Sequence, residues 1–192
     1  MSNLLINGDF SNPNLPINGF DFLSRNFRIT PANVSLFHWT VVNPQWVFLL
    51  NGGVSATYEL PLPNAIQQSQ LIFFQYYGPV NNTKIGIYQT IEITTVGEYE
   101  ISVIYSTREN HVILPTDILV DNEIEGTIET STPAYTWVTY KVTFFVTSPK
   151  TIVLYLRGNA QGVINDEFAN GFFESANIAI GNISLVLIKE HP

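Results

Sequence analysis

Apolar and polar residues alternate along most of this chain, and the 3.6-residue period of an amphipathic helix is nearly absent. Residues 84–93, KIGIYQTIEI, put Ile85, Ile87, Ile91 and Ile93 on one side. Residues 98–108, EYEISVIYSTR, align Tyr99, Ile101, Val103 and Tyr105 after a turn at Gly97. Residues 136–148 align Val138, Tyr140, Val142, Phe144 and Val146. A strand turned half toward a core gives this pattern, because successive side chains point to opposite faces. The runs 47–50, 69–77, 150–158 and 177–188 read as further strands, and 117–128 as two short strands about Asp121-Asn122. Seven to nine short strands separated by turn signals predict an all-β fold, an antiparallel sandwich.

The stretches 11–36, 54–66, 106–116 and 158–175 lack the pattern and read as long loops, where function concentrates. No repeat, linker or low-complexity segment divides the 192 residues, so 1–192 reads as a single domain. Only 12% of residues are charged, against about 25% in an ordinary soluble domain. Amides, hydroxyls and some apolar groups must therefore cover the surface. Such a surface suits packing against partners or contact with neutral ligands such as sugars.

Net charge is -8, and the 8 basic residues form no cluster, which argues against nucleic acid and anionic membranes as partners. No apolar run reaches the ~18 residues of a membrane helix, so membrane insertion is not expected. Met1-Ser2-Asn3 lacks the charged and apolar regions of a secretory signal. The location stays open, with a virion or cell surface as the expectation. Cysteine is absent, which excludes disulfides, thiolate metal sites and a Cys nucleophile.

Little in the chain points to catalysis. His38, His111 and His191 are far apart and show no metal-ligand spacing. No G-x-S-x-G elbow occurs. Glu109, Asp117 and Asp166-Glu167 are the loop carboxylates from which a hydrolytic pair would be drawn. The sequence expectation is no enzyme. Residues 121–126, DNEIEG, look like a calcium loop, but Thr132 stands where an EF-hand needs its bidentate Glu. They read as an acidic hairpin turn.

The aromatic residues carry more information: 3 Trp, 9 Tyr and 13 Phe. Sugar C–H faces stack on aromatic rings while hydroxyls pair with amides, Arg and carboxylates. Trp39 and Trp137 begin strands and read as core plugs. Trp46 lies in NPQW, beside a Pro and two amides. Tyr76 and Tyr77 are strand neighbours, so one of them faces away from the core. Opposite Tyr99 and Tyr105 stand Ser102, Ser106 and Arg108, on what reads as a solvent face. Opposite Ile152, Leu154 and Leu156 stand Tyr155 and Arg157. Trp46, Tyr76, Tyr77, Arg108, Tyr155 and Arg157 are therefore the candidate ligand-binding residues. They form either a sugar platform or an oligomer interface, since Tyr and Arg are also enriched at hot spots. Phe172 and Phe173 either plug a sandwich end or meet a partner.

Several motifs, in order, extend this reading. LLINGDF opens the chain, HWTV follows some thirty residues later, and IGIYQTIEI carries Gln89. GEYEISVIYSTR, ILVDNEIEGTI, YTWVTYKVTFFVTS and ANIAIGNISLVLI complete the series. This order resembles the galactose-binding-like β-sandwich, and more closely carbohydrate-binding modules of families 4 and 9 and related plant cell-wall proteins. The resemblance implies an antiparallel jelly-roll sandwich with LLINGDF as its opening strand. It also implies a non-catalytic carbohydrate-binding or attachment module. The alternative is a structural or assembly protein of a virus particle or surface layer, with other protein subunits as partners and a homo-oligomer as its form. Many proteins of this group resemble one another in a structural calcium site joining the first and last strands. Here Ser11 and Gly181-Asn182 stand where its carboxylates are expected, so calcium is disfavoured and no cofactor is expected.

Overall fold

The computed structural model describes residues 2–11, 38–42, 47–51, 70–76, 84–107, 113–130, 132–133, 136–159 and 176–191. These hold ten strands: β1 (Thr40–Val42), β2 (Val47–Asn51), β3 (Gln70–Tyr76), β4 (Ile85–Ile93), β5 (Gly97–Ser106), β6 (Thr116–Val120), β7 (Glu123–Ile128), β8 (Val138–Val146), β9 (Lys150–Gly158) and β10 (Ala176–Glu190). Nine match the runs read from alternation. The tenth, β1, spans three residues and is too short to show a period. Among the described residues no helix is long and apolar enough to cross a membrane.

The strands form two five-stranded sheets, ordered β1-β4-β9-β6-β7 and β2-β3-β10-β5-β8, and every strand pairing is antiparallel. The chain crosses repeatedly between the sheets, as in a jelly-roll sandwich. The inward residues of both sheets meet as one core. Ile85, Ile87, Ile91 and Ile93 of β4 face Tyr99, Ile101, Val103 and Tyr105 of β5, joined by Ile152, Leu154 and Leu156 of β9. Fully burying each such side chain contributes roughly 1.5–3 kcal/mol. At the turn between β6 and β7, Asp121 and Asn122 have φ of 51° and 71°, the left-handed pair that a two-residue hairpin requires. The Asp121 carboxylate accepts hydrogen bonds from Lys150 Nζ (2.8 Å) and the Val153 amide (3.0 Å). The acidic hairpin reading holds.

The opening segment is not a strand. Residues 5–9 form a bend and turn, and Asn7 and Phe10 both have φ of 56°. This region is uncommon for non-glycine residues. Its backbone is instead tied down by side chains. The Gln89 amide accepts from Ile6 N–H (3.0 Å) and donates to Ile6 C=O (2.9 Å), pairing as a neighbouring strand's backbone would. Asn3 Oδ1 accepts from the amides of Leu5 (3.1 Å) and Leu185 (2.9 Å), and Leu4 N–H donates to Leu185 C=O (2.9 Å). Ile183 N–H donates to Gly8 C=O at 2.8 Å, and a Cβ on Gly8 would run into the Ile183 carbonyl oxygen. Phe10 packs against Trp39 with ring centroids 6.1 Å apart, and Trp39 Nε1 donates to Asn7 C=O at 3.1 Å. LLINGDF and Gln89 of IGIYQTIEI are thus two halves of one clasp joining the start of the chain to β10 and β4.

The polar side chains of the clasp are turned to its own backbone. Its bridging side chain is the neutral Asn3, and Asp9 Oδ1 accepts from Ser11 N–H (3.0 Å) in its own turn. Among the described residues no three His, Asp or Glu side chains group as metal ligands.

Two packing expectations change. Trp39 is buried as expected, but Trp137 is partly exposed and lies outside the core cluster, just before β8 begins. Ser106, expected on a solvent face, is fully buried. Leu71, Phe73, Gln75, Asn177 and Ala179, on the same outward side of the second sheet, are buried as well. The alternation gives the side a residue faces, not whether that side meets water.

Candidate functional site

The first sheet's outward face carries an organised set of aromatic and polar groups. Backbone register places Thr40, Tyr88, Tyr155, Leu119 and Ile124 in one row across all five strands. A second row holds Val42, Gly86, Arg157, Asp117 and Thr127, two residues along on β1, β4, β9 and β6 and three on β7, where a register shift inserts an extra residue. The period of two keeps both rows on one face, because their sequence neighbours Ile87, Leu154, Leu156 and Ile118 fill the core.

The Tyr88 and Tyr155 rings lie edge to face, with centroids 6.0 Å apart and planes at 76°. Both are partly exposed. Gly86 makes room for this arrangement. A Cβ there would lie 2.7 Å from Cε2 of Tyr155 and would run into the Leu156 carbonyl oxygen. Burial pushes the Tyr155 phenol above its ordinary pKa. The Arg157 charge pulls it back and Tyr88 adds to the rise, so the hydroxyl stays protonated at neutral pH.

Beside the rings, Arg157 donates from Nη2 (2.7 Å) and Nε (3.2 Å) to Asp117 Oδ2, while Thr127 Oγ1 donates to Asp117 Oδ1 (3.0 Å). The Asp117 side chain is 4% exposed and that of Arg157 21%. The pair is held from three adjacent strands, β9, β6 and β7. A charge-assisted contact of this kind fixes the guanidinium plane. Arg157 has five N–H donors, of which the pair uses two, so donors remain beside the Tyr155 ring.

Of the six residues expected from sequence, the structure brings Tyr155 and Arg157 together on this face. Tyr76 ends β3 in the second sheet, paired with Ala176, so it does not join them. Trp46, Tyr77 and Arg108 lie outside the described residues, as do Glu109, Asp166, Glu167, Phe172 and Phe173. Asp117 was expected in a loop as a hydrolytic carboxylate. It sits in β6 instead, tied to Arg157 and Thr127. Sequence reasoning missed Tyr88, Leu119 and Thr127. Tyr88 had a signal: with Ile85, Ile87, Ile91 and Ile93 turned inward, alternation turns Tyr88 outward. Strand order, which places β4 and β6 on either side of β9, had none.

Compared by sequence, the chain matches no protein-family model and no curated protein. Compared by structure, it is similar to several solved proteins. A cyclase from Fischerella sp. TAU, in complex with 4-(1H-indol-3-yl)butan-2-one, aligns over 100% of both chains at 12% identity and TM-score 0.63. The enzymatically active domain of tailspike protein 4 from bacteriophage CBA120 aligns over 97% of this chain and 21% of its own, at 15% identity and TM-score 0.51. The module TmCBM61, in complex with beta-1,4-galactotriose, aligns over 97% of this chain and 99% of its own, at 15% identity and TM-score 0.48. At these identities the likeness is one of fold. The antiparallel sandwich expected from the motif order is the fold found.

Proposed function

We propose that this chain is a non-catalytic carbohydrate-binding or attachment module, and that the outward face of the first sheet receives the glycan. The observation that carries this is the in-register pair Tyr88–Tyr155 beside the Arg157–Asp117–Thr127 group. Partly exposed rings supply apolar faces for sugar C–H groups. The phenol hydroxyls and the remaining guanidinium donors supply hydrogen bonds for sugar hydroxyls. Rings set at 76° cannot both lie flat on a crystalline array of chains, so the ligand is a soluble glycan. This face needs no metal for that task. A module of this type acts at a virion or cell surface.

The test is retardation in gels containing soluble polysaccharides, backed by a glycan array. Wild type is retarded by at least one glycan. Tyr88→Ala and Tyr155→Ala lose that retardation while keeping a cooperative melt. Alanine at Trp46, Tyr76, Tyr77 or Arg108 asks whether the surface extends beyond this face. Retention unchanged in both Tyr variants removes this face from the reading.

One observation favours a second reading, an assembly surface. Ile124 and Val153 are 55% and 36% exposed on the same side as Tyr155. Absence of glycan retention, together with a concentration-dependent oligomer in light scattering that Ile124→Lys disperses, selects assembly instead.

A further inference from the structure

Resting on the glycan reading, we infer that Asp117 acts as a charge mask, making this face select neutral glycans and reject uronate-bearing or otherwise anionic ones. An exposed arginine beside aromatic rings is ordinarily an anion-binding group. Here the guanidinium is locked by two N–H bonds onto one carboxylate oxygen, and the other oxygen is satisfied by Thr127. The pair is neutral as a unit, and its carboxylate side is the buried one. The guanidinium therefore keeps hydrogen-bond donors for sugar hydroxyls while its charge is cancelled at 2.7 Å.

The charges around it point the same way. On the first sheet, Lys150 is held by Asp121 at 2.8 Å. The chain as a whole carries -8. An anionic glycan approaching Tyr155 meets a neutralised arginine on a chain of net negative charge. A neutral glycan loses nothing by either.

Matched polysaccharides that differ in charge test this: hydroxyethyl cellulose against carboxymethyl cellulose, and galactan against polygalacturonate. Wild type is expected to be retarded by the neutral member of a pair and at least about tenfold less by the acidic one. Raising salt to about 0.5 M should leave the neutral interaction unchanged, because no net charge is screened. Asp117→Asn unmasks the guanidinium. Affinity for the acidic member should rise about tenfold or more and fall again with salt. The double variant Asp117→Asn/Arg157→Gln should lose that gain, which assigns it to the arginine charge.

Wild type binding the acidic member as tightly as the neutral one overturns the mask, as does a folded Asp117→Asn with no gain. Should Asp117→Asn fail to fold, the wild-type pair comparison and its salt response decide alone. Binding to neither member of any pair overturns the glycan reading itself, and the mask with it.

Discussion

At the terminal clasp both ends of the Gln89 amide are taken up by the Ile6 peptide, Asn3 is divided between Leu5 and Leu185, and the Trp39 indole is bound to Asn7. On the outward face of the first sheet, Tyr88 and Tyr155 stay partly exposed, and Arg157 retains donors beyond those given to Asp117. Both regions are rich in polar side chains. In the clasp those side chains replace a missing strand ladder, so they hold the fold and leave little hydrogen-bonding capacity over. On the face the ladder is complete without them, so their capacity is left for something else. A polar residue's meaning depends on whether the backbone beside it already has its partners.

Variants that separate the two regions test this contrast. The largest effect is expected from Gly8→Val, whose side chain meets the Ile183 carbonyl where the clasp closes on β10. A loss of about 3–4 kcal/mol, or failure to fold, should appear in chemical denaturation. Next comes Gln89→Leu, which leaves the Ile6 N–H and C=O without their partner in a part-buried setting. It should cost about 2–3 kcal/mol. Glycan retardation measured well below its melting temperature should match wild type. If Gln89→Leu weakens retardation while still folded, the clasp is part of the site and the contrast breaks.

Tyr155→Ala should show the reverse pattern. It removes a ring from the face, not from the core, and glycan affinity should drop about tenfold, or about 1.4 kcal/mol. Its melting temperature should fall by less than that of Gln89→Leu. Equal destabilisation with intact binding would show the face to be structural like the clasp.

The two regions also differ in how far they were legible in the sequence. Gln89 announces itself, because a polar residue at an inward position of an otherwise apolar alternation must find an internal partner. LLINGDF was legible as a signature yet misread as a strand. The left-handed φ of Asn7 and Phe10 comes from tertiary ties to Trp39, β4 and β10, which local pattern does not show. Tyr155 and Arg157 were legible because β9 alternates cleanly. Their pairing with Asp117, Tyr88 and Thr127 was not, since nothing local says that β6 and β4 flank β9 or that β7 lies beyond β6. Asp117 was noticed, but as a catalytic candidate. Its meaning changed once strand order put Arg157 opposite it.

The smallest effect lies at the rim of the face. Glu125 on β7 is partly buried, and its carboxyl is pushed above the ordinary pKa by burial first and by the neighbouring Glu123 second, with Lys150 opposing. A carboxyl whose folded-state pKa is raised favours the folded protein while it is protonated. That contribution is complete below the unfolded value and is lost as pH rises through the folded one. At pH 7 the ionised Glu125 therefore works against folding. Glu125→Gln should raise stability at pH 7 by about 0.3 kcal/mol, a small figure because solvent screens a partly exposed group. The gain should vanish by about pH 3, where the native carboxyl is protonated in both states. Paired denaturation curves at the two pH values measure it. A gain confined to neutral pH shows that the face carries charge at a cost to stability, as an anion-rejecting surface would. A loss at neutral pH would mean that Glu125 supports the fold, placing the rim of the face with the clasp.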